Sequence, residues 1–384
     1  MSFGNAFFDI TWLDAIIRTI IVVLVMTVIV VYLTWGERKV VALFQQRLGP
    51  MRTGPWGIWQ GFADALKLVT KEDIRPANAD RWVFEFAPYL TFIPVLMVLV
   101  ALPFAKDWGV RNMALGMFYV VAILSLNLVG ILMAGLGSGN KFALLGAVRA
   151  AAQMISYEIP LVISLLSVAM IASTLDLNQI AALQHHRPFI VLQPLAFLIF
   201  FTAMLSELHR APFDIPVAES EIVGGYFVEY SGIRWSMFQL TEYASMWAFS
   251  VFGSVVFLGG WEYPKGGDWG WGWQLFLTFA KSAVWIFAIM WVRITVPRLR
   301  VDQLMAFCWK VLLPLSLVQL LMNGFILIYD WPEELLTVTS GIGALFLMVL
   351  IALIIRRPKK TTAPLLGAYR QGSISATGSQ GSTP

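Results

Sequence analysis

The sequence predicts an all-α polytopic membrane protein: a nine-transmembrane-helix bundle with an interfacial amphipathic helix in its first cytoplasmic loop. Three observations carry that reading. Hydrophobic residues make up 58% of the 384 and charged residues only 13%, about half the charged fraction of a soluble domain. The apolar residues come in blocks of roughly 17–24, the length a helix needs to cross about 30 Å of hydrocarbon. Of the 27 basic residues, 21 fall in alternate gaps between those blocks or in the tail beyond the last, as the positive-inside rule requires of cytoplasmic segments.

The nine blocks cover residues 16–35, 82–104, 113–136, 154–174, 189–205, 243–260, 273–292, 311–329 and 336–355. The first is not a cleaved signal peptide, because Asp9 and Asp14 flank it in place of a basic run and no small-residue cleavage pattern follows. In the first loop, Trp56, Trp59, Phe62, Leu66 and Val69 recur every three or four residues, with Gln60, Asp64, Lys67 and Lys71 facing away. Pro55 suits a first helical position and Pro76 lies beyond the end, so a helix is expected over 56–70. Such a helix lies flat on the membrane or covers a cavity between spans. The basic residues place the N-terminus outside and the C-terminus in the cytoplasm. The outer segments then hold only Lys106, Arg111, Arg187 and Lys265, while Arg18 and Lys281 fall within spans. The Gly/Trp loop 259–273 reads as an interface anchor on the outer side. Residues 1–355 form the membrane domain; 356–384, first basic and then Gly/Ser-rich, form a disordered tail.

One cysteine, Cys308, and three histidines exclude an internal disulfide framework or a four-thiolate cluster, and no metal site is expected. Loop lengths and motifs do not repeat as in many secondary transporters. Polarity concentrates in three stretches. Residues 34–55, TWGERKVVALFQQRLGPMRTGP, set Glu37, Arg38 and Lys39 at the inner end of the first span, where a stop-transfer anchor is the simpler reading. Residues 135–160, GLGSGNKFALLGAVRAAAQMISYEIP, hold a glycine run that follows a hydrophobic span and no strand. Close helix packing therefore explains it better than a dinucleotide-binding turn. Glu158 follows Met154 and Ile155 into a span; an intramembrane carboxylate is a functional candidate by default, and an ion pair with Arg149 is the structural alternative. Residues 206–246 set Glu207, Asp214, Glu219, Glu221, Glu229 and Glu242 against only Arg210 and Arg234. Interleaved Phe213, Ile215, Val217, Ile222, Val223, Tyr226 and Phe227 would draw that segment in among helices, where acids can exchange protons near neutral pH. A solvated acidic loop is the alternative.

These stretches, followed by WVRITVPRLRVDQLM at 291–305, resemble the quinone-channel membrane subunit of respiratory complex I. That subunit is the H-subunit of bacterial NADH:quinone oxidoreductase and mitochondrial subunit 1 of animals. The resemblance implies that Glu37 and Arg38 border a quinone entrance. It makes the amphipathic helix, with Asp64 and Lys67, part of the entrance wall, and the aromatic face Trp56/Trp59/Phe62 suits the quinone tail. Arg210, Phe213, Asp214, Glu219 and Glu221 would lie beneath the peripheral arm, near the quinone tunnel. Glu158, Glu207, Glu229 and Glu242 match a buried acid chain leading toward antiporter-like subunits, and Arg293, Arg298, Arg300 and Asp302 match the loop that docks to the peripheral arm.

The same resemblance implies a bacterial inner-membrane translocase subunit that takes quinone as substrate and binds no cofactor of its own. NADH, flavin and iron–sulfur clusters would sit on partner subunits; membrane lipids are partners and nucleic acid is not. Where the family reads D-L-P-E-A-E, this chain reads Asp214-Ile215-Pro216-Val217-Ala218-Glu219, so Val217 replaces an acid. If the loop turns helical after Pro216, Glu221 and Glu229 share a face, and with Glu219 they would carry the loop's proton traffic. The rival readings are a homologous anchor of a membrane-bound hydrogenase or ferredoxin-dependent complex, and a free-standing ion transporter.

Overall fold

The computed structural model describes residues 12–106, 108–217, 219–264, 270–332 and 334–356. Among the described residues it is helical, with one isolated bridge between Ala105 and Trp108 and no strand. In chain order the helices are α1 (Trp12–Phe44), α2 (Gln60–Thr70), α3 (Arg81–Ala101), α4 (Gly116–Leu124) and α5 (Asn127–Gly137). Next come α6 (Lys141–Ala172), α7 (Leu177–Leu183), α8 (Phe189–Leu192), α9 (Pro194–Glu207) and α10 (Glu219–Ile222). The last five are α11 (Gly232–Leu258), α12 (Trp271–Thr295), α13 (Val301–Phe307), α14 (Leu313–Ile328) and α15 (Glu334–Arg356).

Seven stretches of the described residues are long and apolar enough to cross a membrane: Asp14–Phe44, Arg81–Ala101, Gly116–Gly137, Lys141–Ala172, Trp271–Thr295, Val301–Ile328 and Glu334–Leu353. The chain is thus an all-α polytopic membrane protein. The other two blocks read from the sequence fall on α8–α9 and α11. The first is interrupted at Gln193, ahead of Pro194, leaving α9 with 14 residues. The second is a 27-residue helix carrying Thr241, Glu242, Ser245, Ser250 and Ser254. Every residue of 244–257 is buried. A helix walled by protein on all sides meets no lipid, so polar side chains are allowed on it. Ser250 and Ser254 donate to carbonyls of their own helix at 2.6 and 2.8 Å. α1 presents the opposite case, exposing Ile16, Ile20, Leu24 and Val28.

Helices outrun the apolar windows at the polar ends. α1 continues through Glu37, Arg38 and Lys39, and α6 starts at Lys141, where Asn140 caps it by accepting from the Phe142 N–H at 2.9 Å. Glu158 and Glu242 lie inside α6 and α11. The Gly/Ala run serves close packing: a Cβ on Gly146 would stand 2.7 Å from the Cα of Gly225. α3 packs on α5, α5 on α6, α6 on α9 and α14, and α11 on α1, α3 and α12.

Lys281 of α12 closes the end of α11. Its Nζ donates to the carbonyls of Leu258, Gly260 and Tyr263 at 2.6, 2.5 and 2.6 Å. Lys281→Met should lower stability by about 2–3 kcal/mol, the scale of hydrogen bonds from a charged group. The check is the thermal inactivation midpoint of the membrane-bound protein.

Backbone contacts divide the chain after Ala344. The second unit, over its described residues 345–356, is the final part of α15. The expected disordered tail from 357 on, residues 265–269 of the Gly/Trp loop and residues 1–11 lie outside the described residues.

Candidate functional site

The end of α9 organises the site. Arg210 N–H bonds to Leu205 O at 3.2 Å and His209 N–H to Ser206 O at 3.1 Å, with His209 at φ 49°. This paired pattern closes a helix through a left-handed residue, a conformation that Asn, Asp and His tolerate better than most. Gln153 of α6 pins the reversal by donating to Ser206 O and Phe213 O, both at 2.8 Å. The two side chains beyond the helix end then reach different sites.

Arg210 reaches Glu37 of α1 at 3.2 Å and stacks 4.7 Å from the Tyr243 ring centroid. Arg293 of α12 bonds the same Glu37 carboxylate. The Arg210 and Glu37 side chains are only 6% and 7% exposed and Arg293 is 37% exposed, so the cluster ties α1, α12 and the α9 turn together, with its Arg210–Glu37 pair in low dielectric. Glu37 is not a solvated anchor charge.

His209 instead lines a cavity of about 20 Å³ with Glu207, Glu242, Tyr226, Asn127 and Ser245. The acids come from the end of α9 and the middle of α11, with α3 and α5 closing the far wall through Thr91 and Asn127. Burial, followed by the nearby Glu242 and Asp214 carboxylates, holds the Tyr226 hydroxyl well above its ordinary pKa. Glu158 lines a second groove, of about 280 Å³, with Phe118, Ser125 and Leu165, close enough for its charge to act on Glu207.

The remaining loop acids disperse. α10 is four residues long, and Val223, Gly224 and Gly225 follow it with φ of 59°, 115° and 75°. Those left-handed residues stop the helix, so Glu221 and Glu229 share no face. Glu221 pairs with Arg149 at 2.8 Å in a half-exposed position, and Glu229 accepts from Asn140 Nδ2 at 2.6 Å. Glu219 opens α10. Val217 packs against the apolar cluster of Phe84, Ile131, Tyr226, Tyr230 and Phe238. Phe213 is buried, with its ring 5.5 Å from that of Tyr157. Arg298 bonds Asp214 through both its carbonyl and its carboxylate, while Arg300 and Asp302 are exposed at the start of α13.

At α2, Arg38 meets Asp64 at 2.6 Å, with Gln60 3.2 Å and Lys67 4.0 Å from the same carboxylate. The helix begins at Gln60, later than the periodicity suggests. Trp56 sits in the preceding Pro55–Gly57 turn at φ 60°, between Gly54 and Gly57, which also have positive φ. Trp56, Trp59, Phe62, Leu66 and Val69 are all exposed. The other side of α2 rests on α1 and α11, where Gly61 meets Val31. The apolar stripe thus points away from the bundle, as a helix lying flat on a bilayer requires. No group of three or more His, Cys, Asp or Glu suited to a metal occurs among the described residues.

Sequence reasoning missed His209, Asn127, Gln153 and Tyr243. The polar ones looked like isolated residues, and only the fold brings them to the acids.

Fold and site together define a membrane helix bundle that buries an acid-lined cavity and a carboxylate shared by two arginines, with an apolar-striped helix packed on α1 and α11. Residues 17–324 match the family model described as NADH dehydrogenase. The chain is 42% identical to the NADH-quinone oxidoreductase H-subunit of Dehalococcoides mccartyi (strain CBDB1), over 88% of this chain and 95% of that one. It is 46% identical to the corresponding protein of Chlorobium luteolum, over 78% and 85% of the two chains. For that of Anoxybacillus flavithermus the identity is 44%, over 82% and 96%. The chain belongs to the NADH dehydrogenase family, together with these H-subunits.

Proposed function

We propose that this chain is a membrane subunit of a proton-pumping NADH-quinone oxidoreductase. It forms the quinone-access channel and couples quinone reduction to proton translocation. The observation that carries the reading is the short route from one site to the other. Arg38, at the α2 rim, adjoins Glu37; Glu37 pairs with Arg210; and Arg210 lies three residues from Glu207 in the acid-lined cavity.

On this reading the aromatic stripe and Arg38, Asp64 and Lys67 receive and orient a lipid-tailed quinone, which needs an apolar slot with a few polar groups. A change of charge at the quinone end alters the field on the Glu37–Arg210–Arg293 cluster, and that cluster biases protonation of Glu207 and Glu242. Glu158, Glu219, Glu221 and Glu229 extend the acid route, with Asp214 and Phe213 beneath the peripheral arm. Arg298, Arg300 and Asp302 face partner proteins that carry flavin and iron–sulfur clusters, and antiporter-like subunits flank the membrane side. The chain itself holds no redox centre. It crosses a bacterial inner membrane nine times, counting α8–α9 and α11, with its N-terminus outside and its tail in the cytoplasm.

Arg38→Ala should raise the apparent quinone KM about tenfold, the loss of one well-placed polar contact. NADH oxidation by an artificial acceptor should stay unchanged. An equal fall in both activities, at normal complex content, would remove Arg38 from the quinone entrance.

A further inference from the structure

The cavity shared by Glu207 and Glu242 has a volume of about 20 Å³, room for about one water molecule. Four of its lining residues each carry a buried polar atom with no hydrogen-bonding partner among the described residues: Asn127 Oδ1, Glu207 Oε2, His209 Nε2 and Ser245 Oγ. Buried polar groups are rarely left unpaired, and a buried water makes two to four hydrogen bonds to such groups. The count of unpaired atoms and the size of the space agree on one water.

His209 is set there by the backbone. It occupies the left-handed position that ends α9, at φ 49°, where a large apolar residue would be strained. The reversal carries Arg210 to Glu37 and leaves the imidazole lining the cavity. Burial lowers the imidazole pKa to about 4, so at neutral pH the ring is uncharged, with one nitrogen donating and the other accepting. The titratable groups around it are Glu207 at the end of α9, Glu242 on α11 and Tyr226 in the turn before α11. Arg210 and Asp214, in the same loop, act on Glu242 through charge.

We propose that His209 is a positioning residue that, with Asn127, holds a single water molecule between the carboxyl groups of Glu207 and Glu242, four hydrogen bonds in all. The inference rests on the reading that these two acids carry protons. In the step it serves, the O–H of one protonated carboxyl donates its proton to the water as the water's own proton passes to the other carboxylate. The water is regenerated, one acid becomes a carboxylate and the other becomes the protonated form.

The test uses the whole complex in native membranes, with rates normalised to complex content. His209→Leu keeps a similar volume and removes both ring nitrogens. It should lower the kcat of NADH:quinone turnover about tenfold, a modest share of what positioned proton transfer contributes. Quinone KM and artificial-acceptor activity should not change. His209→Asn suits the same backbone conformation and offers a donor and an acceptor to the same water, so it should restore most of the turnover. His209→Gly, which the left-handed backbone accepts without strain and which also lacks the ring nitrogens, should be as slow as Leu. Wild-type kcat in the Gly variant, or an Asn variant as slow as Gly, would overturn the assignment. Glu207→Gln and Glu242→Gln are measured alongside. If they are slow while His209→Leu is not, only the role of His209 falls; if all three run at wild-type rates, the proton reading of the cavity falls with it.

Discussion

Glu37→Gln and Arg210→Met should each sharply reduce the amount of assembled complex in the membrane. Each change leaves buried charge without its counter-charge, and breaking a buried pair from one side destabilises by about 3–5 kcal/mol. The Glu37 change is the more severe, because it abandons two arginines, Arg210 and Arg293, around one neutral amide. The Glu37→Gln/Arg210→Met double variant should recover part of the loss, since the stranded charge of Arg210 is gone as well. Immunodetection of the complex on native gels, against an unrelated membrane protein, reads the effect. Normal content in both single variants would mean that solvent screens the cluster and that it ties nothing together.

Glu242→Gln and Glu207→Gln should behave differently: normal assembly, with quinone-linked turnover lowered by about 10²-fold, the lower end of what a positioned proton-transfer group supplies. The amide matches the carboxyl in size but neither holds nor releases a proton. Both residues line the same cavity, so loss of either interrupts the same step. Glu221→Gln should have a far smaller effect. Its carboxylate is half exposed and paired with Arg149, and exposed pairs contribute about 0–1 kcal/mol. Turnover with NADH and a short-chain quinone, normalised to complex content, ranks the three. An ordering in which Glu221→Gln is the slowest would move the proton path out of the cavity and into the loop.

Much of this was legible in the chain, for identifiable reasons. Apolar blocks and the basic-residue asymmetry report on lipid directly, so the membrane bundle followed from them. Helix ends were harder. A helix that leaves lipid but remains among other helices keeps its hydrogen bonds without an apolar sequence, and α1, α6 and α11 all run past the apolar blocks of the sequence. The α2 register read correctly from Gln60 on, while the glycines at 54 and 57 put Trp56 outside the helix. The acids of 206–246 were recognisable as a group, yet their partition was not. Left-handed residues at 223–225 end α10 after one turn, and pairing with Arg149 and Asn140 draws Glu221 and Glu229 aside. The convergence of Glu207, His209 and Glu242 depends on a chain reversal and on two helices distant in sequence. No spacing rule could anticipate that.

The measurement that bears most directly on coupling is proton translocation driven by quinone reduction in sealed vesicles. The acidification signal on adding NADH and quinone is compared for wild type and Glu242→Gln at equal complex content, with artificial-acceptor activity recorded on the same vesicles. If the cavity acids link quinone chemistry to protons, translocation and quinone-linked NADH oxidation fall together in the variant while the artificial-acceptor rate holds. Wild-type translocation and wild-type quinone turnover in Glu242→Gln would contradict that link.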